Sequence, residues 1–232
     1  MTRRVMIGTP AHDGRCDVEY AYSLVESVRL CTQGGIDARP VFWPGEALVQ
    51  LARCHLVKLA LEAECSDLIF IDSDQAWKPQ WVPQLLRHGV DVVGGAVRKK
   101  TEHESYNVHA NTINLPLESE GLLAIDGIGT GFLRLSQKAL LALWDNSEPV
   151  TDDFGNHLRW MFELKRENGR VVGEDIGMCK KLKSLGFQIY VDTSITCDHI
   201  GRKKFSGDFH GWLDRGYWSQ AVLSKTVLKH SA

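Results

Sequence analysis

Two carboxylates, Asp72 and Asp74, stand directly after the apolar run Leu68–Ile71. A short apolar run followed by turn-forming residues predicts a buried strand of a parallel sheet, and ligands bind at the carboxyl ends of such strands. Two carboxylates placed there repel each other and lose hydration unless a cation lies between them. A divalent cation that also binds substrate phosphates would satisfy both. The alternative is that the pair only caps the next helix, which is the more common use of an isolated Asp-x-Asp.

Two further groups of candidate metal-binding or acid–base residues occur later in the chain. Glu174 and Asp175 begin a predicted helix, and Asp198-His199 follows an apolar strand. Each group has a structural alternative when taken singly. Acidic residues in a first helical turn interact favourably with the helix dipole, and a histidine at a strand end usually has a hydrogen-bond partner within the fold. Taken together with Asp72 and Asp74, these groups predict a divalent-metal site, for which Mn²⁺ tolerates nitrogen ligation better than Mg²⁺.

The elements that must position these groups alternate between strand and helix in the first half of the chain. Apolar runs bounded by turn residues predict the strands, and apolar residues at three- and four-residue spacing predict the helices. This alternation is typical of an α/β fold with a mostly parallel sheet and helices on both faces. The predicted strands are 5–8, 38–43, 68–71 and 91–95, and the predicted helices are 17–30, 47–64 and a short one from Pro79.

The second half gives weaker signals. Residues 98–121 are polar, which predicts a long loop or a small antiparallel excursion. Ser136 is predicted to cap a helix that ends at Trp144, and residues 145–172 show no regular pattern. The remaining predicted elements are strands 122–125, 128–135, 187–191 and 194–197 and a helix from Gly173 to Leu185.

The composition is that of an ordinary globular protein. The 232 residues are 44% hydrophobic and 24% charged with a net charge of −2, so no overall charge directs the chain to nucleic acid or membrane. The length fits one domain, and no apolar run reaches the roughly 18–20 residues of a spanning helix. Six cysteines without a Cys-x-x-Cys pair predict reduced packing residues. We therefore expect a cytoplasmic protein without integral membrane contact.

Seven segments follow, in order, the motifs of one enzyme class. They are Ile7–Gly14, Ala52–Cys54, Phe70–Asp74, Val92–Gly95, Gly129–Phe132, Gly173–Gly177 and Ile195–Gly201. In these segments the chain resembles nucleotide-sugar-dependent glycosyltransferases of the GT-A fold, in particular small soluble, phage- and bacterial-like ones related to family 2. The resemblance implies a Rossmann-like, mostly parallel sheet with a small antiparallel part on the acceptor side. It divides the single domain 1–232 into a nucleotide-binding half, 1–100, and an acceptor-binding half, 101–232.

The resemblance also implies a pocket for a nucleotide-sugar donor, linked to UDP. Thr9, Pro10 and Asp13 would line the uridine pocket. Arg53 would approach the diphosphate or the Asp-x-Asp turn, with a solvated helix position as the alternative. Gly94-Gly95 would leave room for the sugar because glycine lacks a side chain, and a plain turn is the alternative there.

By the same resemblance, Asp74 and His199 would ligate the metal, Mn²⁺ or Mg²⁺. Asp72 would hold the ribose or bind the metal through water, and Ser73 belongs to the same donor-binding turn. One departure is that family members usually have asparagine in this helix after the arginine, whereas this chain has Cys54 or His55 there, so one contact to the donor is not carried over.

The reaction implied by the resemblance is displacement at the anomeric carbon of the sugar. A divalent ion would neutralise the leaving diphosphate, and a carboxylate would accept the proton of the attacking hydroxyl. The sugar would pass through an oxocarbenium-like state. We assign the base to Asp175, with Glu174 as its neighbour and a binder of the acceptor, and we expect inversion.

Two basic clusters, Arg98–Lys100 and Arg202–Lys204, each follow a motif strand. They would hold the donor diphosphate or attract a polyanionic acceptor, such as DNA with a hydroxymethylated base, which some bacteriophage enzymes of this kind use. A saccharide is the other acceptor considered, and ordinary solvated charge is the alternative reading of the clusters. Aromatic residues that could stack on a sugar or base lie nearby: Tyr106, Phe205, Phe209, Trp212, Tyr217 and Trp218.

Two other functions fit parts of the pattern. A nucleotidyltransferase shares the sheet and the acidic ligands, but it needs a glycine-rich phosphate loop, which Gly8-Thr9-Pro10 is not. A non-catalytic nucleotide-sugar or nucleic-acid binding module needs no base, so Glu174-Asp175 together with His199 argues against it. The sequence therefore predicts a metal-dependent glycosyltransferase.

Overall fold

The computed structural model describes residues 3–110, 121–201 and 203–216. Arg202, Tyr217 and Trp218, which were predicted to contact a ligand, lie outside these ranges. In chain order the elements are β1 (Arg3–Ala11), α1 (Val18–Gln33), β2 (Ile36–Pro44), α2 (Val49–Glu62), β3 (Asp67–Ile71), β4 (Gln75–Ala76), α3 (Trp81–Arg87), β5 (Val92–Val97), β6 (Val108–His109), β7 (Leu122–Ile125), β8 (Gly127–Ile128), β9 (Phe132–Ser136), α4 (Gln137–Asp145), β10 (Glu148–Thr151), β11 (His157–Trp160), β12 (Lys165–Glu167), β13 (Arg170–Val172), α5 (Glu174–Ser184), β14 (Ile189–Ile200), β15 (Lys204–Phe205) and α6 (Phe209–Asp214).

A nine-stranded sheet forms the centre of the described chain, in the order β15-β14-β5-β9-β3-β1-β2, with β4 and β7 also paired to β14. The long strands β2, β1 and β3 are parallel, as are β5 and β14, whereas β9 is antiparallel between β3 and β5. Helices flank the sheet, which confirms the predicted α/β class with a mostly parallel sheet. The direction of β9 has no signature in the sequence, because a central strand is buried on both faces whichever way it runs.

Alternate residues of β3 pack on opposite sides of the sheet. Leu68 and Phe70 belong to one hydrophobic cluster, together with the inner face of α2. Ile69 and Ile71 belong to a second cluster, together with the inner faces of α1 and α3. All of β3 is buried, so the strand that leads into the acidic turn is fixed from both faces.

Strand ends from both halves of the chain meet at one edge of the sheet. β1 and β3 end there, and β9 begins there because Phe132 pairs with Ile71. β14 brings His199 to the same edge, where it pairs with Gln75 of β4. This is the carboxyl edge of the parallel strands, at which open α/β sheets bind ligands.

Three predicted elements differ from the structure. The single strand expected at 128–135 is divided into β8 and β9 by Gly129–Gly131, and the two late strands are one strand, β14, interrupted by an irregularity. Residues 145–172, which gave no regular pattern, contain the hairpins β10–β11 and β12–β13. These short strands are mostly exposed, so they lack the alternation of apolar and polar residues on which the prediction depends.

Helix starts follow the local signals in the sequence. α4 begins after Ser136. The Ser136 hydroxyl accepts a hydrogen bond from the Ala139 backbone N–H at 3.2 Å, which confirms the predicted cap. α5 begins at Glu174 directly after Gly173, so both acidic residues stand in its first turn. Within the described ranges, no helix is long and apolar enough to cross a membrane.

Candidate active site

Two adjoining cavities lie at the carboxyl edge of the sheet. The first, of about 350 Å³, is bordered by the end of β1, the turn after β3 and the start of α2. The second, of about 220 Å³, lies between that turn, the Gly129–Gly131 segment and the start of α5. Arg53, Asp72 and His199 line both cavities and form their common wall.

Arg53 is the charged centre of this wall. α2 carries it inward, where it is 5% exposed, and its guanidinium donates to Asp72 Oδ1 at 3.2 Å and to Glu174 Oε1 at 2.7 Å. Burial lowers the pKa of Arg53, but the two carboxylates outweigh burial and raise the pKa overall. The guanidinium therefore stays charged and ties the turn after β3 to the first turn of α5.

Asp74 and His199 meet on the wall of the first cavity. Asp74 Oδ2 lies 3.2 Å from His199 Nε2 and accepts a hydrogen bond from Lys100 Nζ at 2.6 Å. Burial raises the pKa of Asp74, but hydrogen bonds from His199 and Lys100 outweigh burial and lower the pKa to about 2. His199 Nδ1 lies 3.0 Å from the carbonyl oxygen of Arg98, which can only accept, so Nδ1 carries a proton. Nε2 then faces the carboxylate either as a second N–H or as a ligand position for a shared cation.

Asp175 lies on the wall of the second cavity. Burial and the neighbouring charge of Glu174 raise the pKa of Asp175. Its Oδ1 accepts a hydrogen bond from the Ile176 backbone N–H at 2.7 Å, and its Oδ2 lies 3.2 Å from the position that a Cβ would take at Gly129. Glu174, in contrast, is engaged by Arg53. A carboxylate with a raised pKa in a cavity has the properties of a general base.

The Gly129–Gly131 segment passes between Asp72 and Asp175. A Cβ at Gly129 would lie 2.7 Å from Asn107 Nδ2, and one at Gly131 would lie 3.1 Å from Asp72 Oδ2, so both glycines permit a close approach of the backbone. This Gly-x-Gly segment is one of the motifs of the resemblance, but no role was predicted for it. Three residues of the second cavity have no local signal in the sequence, because only long-range strand pairing brings them to the site: Gln75, Asn107 and Thr130.

The residues predicted to line the nucleotide pocket separate into two groups. Pro10, Asp13 and Ser73 lie on the wall of the first cavity. Thr9 does not, because it is 1% exposed and its hydroxyl pairs with the Tyr20 hydroxyl of α1. Successive side chains of a strand point to opposite faces, so Thr9 and Pro10 cannot both face the cavity. The prediction for Thr9 is corrected accordingly.

Gly94 and Gly95 lie inside β5 and are buried. A Cβ at Gly94 would lie 2.7 Å from the Phe132 carbonyl oxygen, and one at Gly95 would lie 2.2 Å from Ile195 Cγ2. The space beside these glycines is filled by the backbone of β9 and by the Ile195 side chain of β14. The prediction that they make room for a donor sugar is therefore wrong.

The three residues predicted to bind a metal ion, Asp72, Asp74 and His199, do not form one group of ligands. Across residues 3–110, 121–201 and 203–216, no group of three or more His, Cys, Asp or Glu side chains is arranged to hold a metal ion. Asp74 and His199 lie together, whereas Asp72 is turned toward Arg53. Two of the three predicted metal ligands therefore lie side by side, and the third, Asp72, is an ion-pair partner of Arg53.

The two basic clusters form no continuous cationic surface in the described part of the chain. Arg98 is buried, and Lys203 and Lys204 are each paired with a carboxylate at 2.8 Å. Three of the aromatic residues expected to stack on a ligand are buried and pack on one another: Tyr106, Phe209 and Trp212. Those three are core residues, which corrects their predicted role.

Comparison with known proteins defines the fold of the chain. No family model matches the sequence, and no curated protein sequence matches it. Among solved structures, A197 from STIV aligns over 88% of this chain and 93% of its own, with a TM-score of 0.55 and 19% identity. At this identity the similarity shows a shared fold and not a shared activity.

Weaker similarities extend to other solved structures. A glycosyltransferase involved in the glycosylation of the major capsid of PBCV-1 aligns over 59% of this chain and 62% of its own, with a TM-score of 0.35 and 13% identity. TarS from S. aureus (residues 1–349) aligns over 81% of this chain and 57% of its own, with a TM-score of 0.42 and 12% identity. TM-scores below 0.5 define neither the fold nor the activity of the present chain.

Proposed function

We propose that the protein is a glycosyltransferase that uses a UDP-linked sugar donor and a saccharide hydroxyl as acceptor. The supporting observation is a pair of carboxylates with opposite pKa shifts on two cavities that share a wall. The pKa of Asp74 is lowered to about 2, whereas burial raises that of Asp175. Such a difference suits one carboxylate to binding positive charge and the other to accepting a proton.

The donor diphosphate would lie beside Asp74 and His199. Asp74 Oδ2 and His199 Nε2 are 3.2 Å apart, so a carboxylate oxygen and an imidazole nitrogen would be available to hold a divalent cation. The hydrogen bond from His199 Nδ1 to the Arg98 carbonyl is the kind of outer contact that orients a metal-ligating histidine. These two residues would hold Mn²⁺ in preference to Mg²⁺, and the bound ion would neutralise charge on the leaving diphosphate.

Asp175 would accept the proton of the attacking hydroxyl. Its Oδ2 is the oxygen that remains for this role, because Oδ1 already accepts the Ile176 backbone N–H. Glu174, held by Arg53, would fix the first turn of α5 and border the acceptor. Because Asp175 acts on the acceptor and forms no bond to the sugar, the proposed reaction is a single displacement with inversion.

The acceptor we propose is a saccharide and not DNA. A nucleic-acid acceptor requires cations that remain free to neutralise phosphates. Lys203 and Lys204 are paired with carboxylates, and Lys100 is bound to Asp74. The cavity walls also carry several carboxylates, which a polyanion would have to approach.

The central test is the Asp175→Asn variant. Loss of the base should reduce turnover at least about 100-fold, while the dissociation constant of UDP stays within about twofold of the wild-type value. Turnover is measured as UDP release from UDP-sugars with and without oligosaccharide acceptors, and binding is measured by calorimetry.

Asp153→Asn, in the exposed turn between β10 and β11, is the matched control and should keep wild-type rates. Full turnover by Asp175→Asn would refute the assignment of the base. Release of pyrophosphate from a nucleoside triphosphate, without UDP release from any UDP-sugar, would instead identify a nucleotidyltransferase.

A further inference from the structure

The second cavity, the smaller of the two, is surrounded by buried polar side-chain atoms that have no hydrogen-bond partner. The described residues contain five such atoms, and four of them belong to residues that line this cavity: Arg53 Nε, Gln75 Oε1, Arg98 Nε and Thr130 Oγ1. Buried polar atoms in folded proteins nearly always have a hydrogen-bond partner, because burying one alone is costly. Their concentration around one cavity means that bound water, or a polar ligand that replaces it, must supply the partners.

Gln75 presents an acceptor to this cavity. The residue is 1% exposed, and its Nε2 lies 3.4 Å from Asp74 Oδ1. A carboxylate oxygen only accepts, so the amide must turn its nitrogen to Asp74 and its oxygen away. Oε1 is therefore the atom left without a donor.

Thr130 presents a hydroxyl to the same cavity. It is 1% exposed, and it stands between Gly129 and Gly131, whose backbones adjoin Asp175 and Asp72. The Thr130 hydroxyl can donate or accept. The cavity thus combines an acceptor from Gln75, N–H donors from the guanidinium groups of Arg53 and Arg98, and a Thr130 hydroxyl that can donate or accept. This mixture matches a ligand with several hydroxyl groups better than it matches an anion or an apolar group.

We infer that the smaller cavity receives the sugar ring of the donor and that Gln75 and Thr130 select the sugar by binding its hydroxyls. The inference rests on the proposed function. The wall shared through Arg53, Asp72 and His199 places this cavity beside the proposed diphosphate site. Asp175, on the far wall, would then face the sugar from the acceptor side.

A ligand-binding role and a structural role predict opposite effects of the same substitution. Thr130→Val keeps the shape of the side chain and removes only the hydroxyl. A hydroxyl that stabilised the fold would lower the melting temperature when removed. A buried hydroxyl without a partner should leave the melting temperature unchanged or raise it by ~2 °C, because its burial was unfavourable.

The test measures binding of UDP and of UDP-glucose, UDP-galactose, UDP-xylose and UDP-N-acetylglucosamine by calorimetry, using the full chain. We expect at least one UDP-sugar to bind more tightly than UDP. Thr130→Val and Gln75→Met should each weaken that sugar about tenfold and leave the affinity for UDP unchanged. Thr130→Ser should restore the preference because it restores the hydroxyl.

Thr193→Val is the matched control. Thr193 is 3% exposed, and its hydroxyl donates a hydrogen bond to the Gly121 carbonyl at 3.1 Å. Thr193→Val should therefore have a lower melting temperature than wild type and keep the preference for the sugar. If UDP binds and Thr130→Val leaves the sugar preference intact, or lowers the melting temperature as Thr193→Val does, the inference is overturned and the proposed function stands. If neither UDP nor any of the UDP-sugars binds the wild type, the proposed UDP-linked donor is itself wrong.

Discussion

At the scale of single residues, Arg53 decides which carboxylates of the site are available. Its guanidinium engages Asp72 and Glu174, while Asp175 stays outside the ion pair with a raised pKa. A buried guanidinium is favourable only while its partners are present, because an isolated buried charge is costly. One residue therefore affects both the stability of the site and the pKa of the proposed base.

Arg53→Met should destabilise the protein by about 2 kcal/mol, measured by urea unfolding. This is below the roughly 3–5 kcal/mol known for fully buried pairs, because the side chains of Asp72 and Glu174 are 32% and 19% exposed. The charge of Arg53 also lowers the pKa of Asp175, so its loss should raise that pKa. Asp175 must be ionised to act as a base, and the acid limb of the rate profile should move to higher pH. Arg29→Met, at an exposed position on α1, should change neither property; an unmoved profile in Arg53→Met would contradict the role given to Asp175.

Lys100 donates a hydrogen bond to Asp74 Oδ2, the oxygen that we propose as a ligand of the metal ion. Its Nζ lies 2.6 Å from Asp74 Oδ2 and must leave that position when a cation binds there. Lys100→Met should therefore bind Mn²⁺ several-fold more tightly than wild type in the absence of nucleotide, as measured from the signal of free Mn²⁺ in electron paramagnetic resonance. Lys203→Met, which removes a cation paired with Glu102, should leave the affinity unchanged. Equal or weaker Mn²⁺ binding by Lys100→Met would argue against Asp74 as a ligand.

At the scale of elements, local signals predicted the parts of the site that one element determines. The apolar run of β3 predicts the strand before Asp72, and the spacing of apolar residues predicts α2, which carries Arg53. The approach of Arg53 to the turn after β3 is implied by the resemblance, with a solvated helix position as the alternative. The second cavity depends on contacts that local patterns do not encode. The pairing of β9 with both β3 and β5 places Thr130, and the pairing of β4 with β14 places Gln75 beside His199. For that reason the sequence predicted carboxylates at the end of β3 but not the polar lining of the second cavity.

The Gly129–Gly131 turn between β8 and β9 should be intolerant of a side chain at its second glycine. A Cβ at Gly131 would lie 3.1 Å from Asp72 Oδ2, so Gly131→Ala must displace Asp72 or the backbone of the turn. We expect turnover to fall at least about tenfold, since small displacements of catalytic groups reduce rates strongly. Gly89→Ala is the matched control, because a Cβ there meets nothing within 4 Å. Wild-type turnover by Gly131→Ala would show that the approach of the turn to Asp72 is not required.

At the scale of the whole molecule, the site joins the two halves of the chain through the sheet. β1 and β3 from the first half and β9 and β14 from the second half are strands of the same sheet. Each half supplies only part of the proposed diphosphate site, Asp74 from the turn after β3 and His199 from β14. A ligand that binds both residues should therefore stabilise the chain as a unit. Its effect should depend on the metal ion that we propose these residues hold.

UDP and Mn²⁺ should raise the melting temperature together by more than the sum of their separate effects. At about 100 times its dissociation constant, a ligand stabilises the native state by ~2.7 kcal/mol, which is roughly 5–10 °C for a chain of this size. Asp74 and His199 would hold the metal ion, and the ion would neutralise charge on the diphosphate, so uridine, which has no phosphate, should show no dependence on Mn²⁺. Asp74→Asn should lose the Mn²⁺-dependent part of the UDP shift and keep the metal-independent part, because Pro10 and Asp13 still line the first cavity. A UDP shift that is the same with Mn²⁺ and with a chelator would contradict the proposed metal binding at Asp74 and His199.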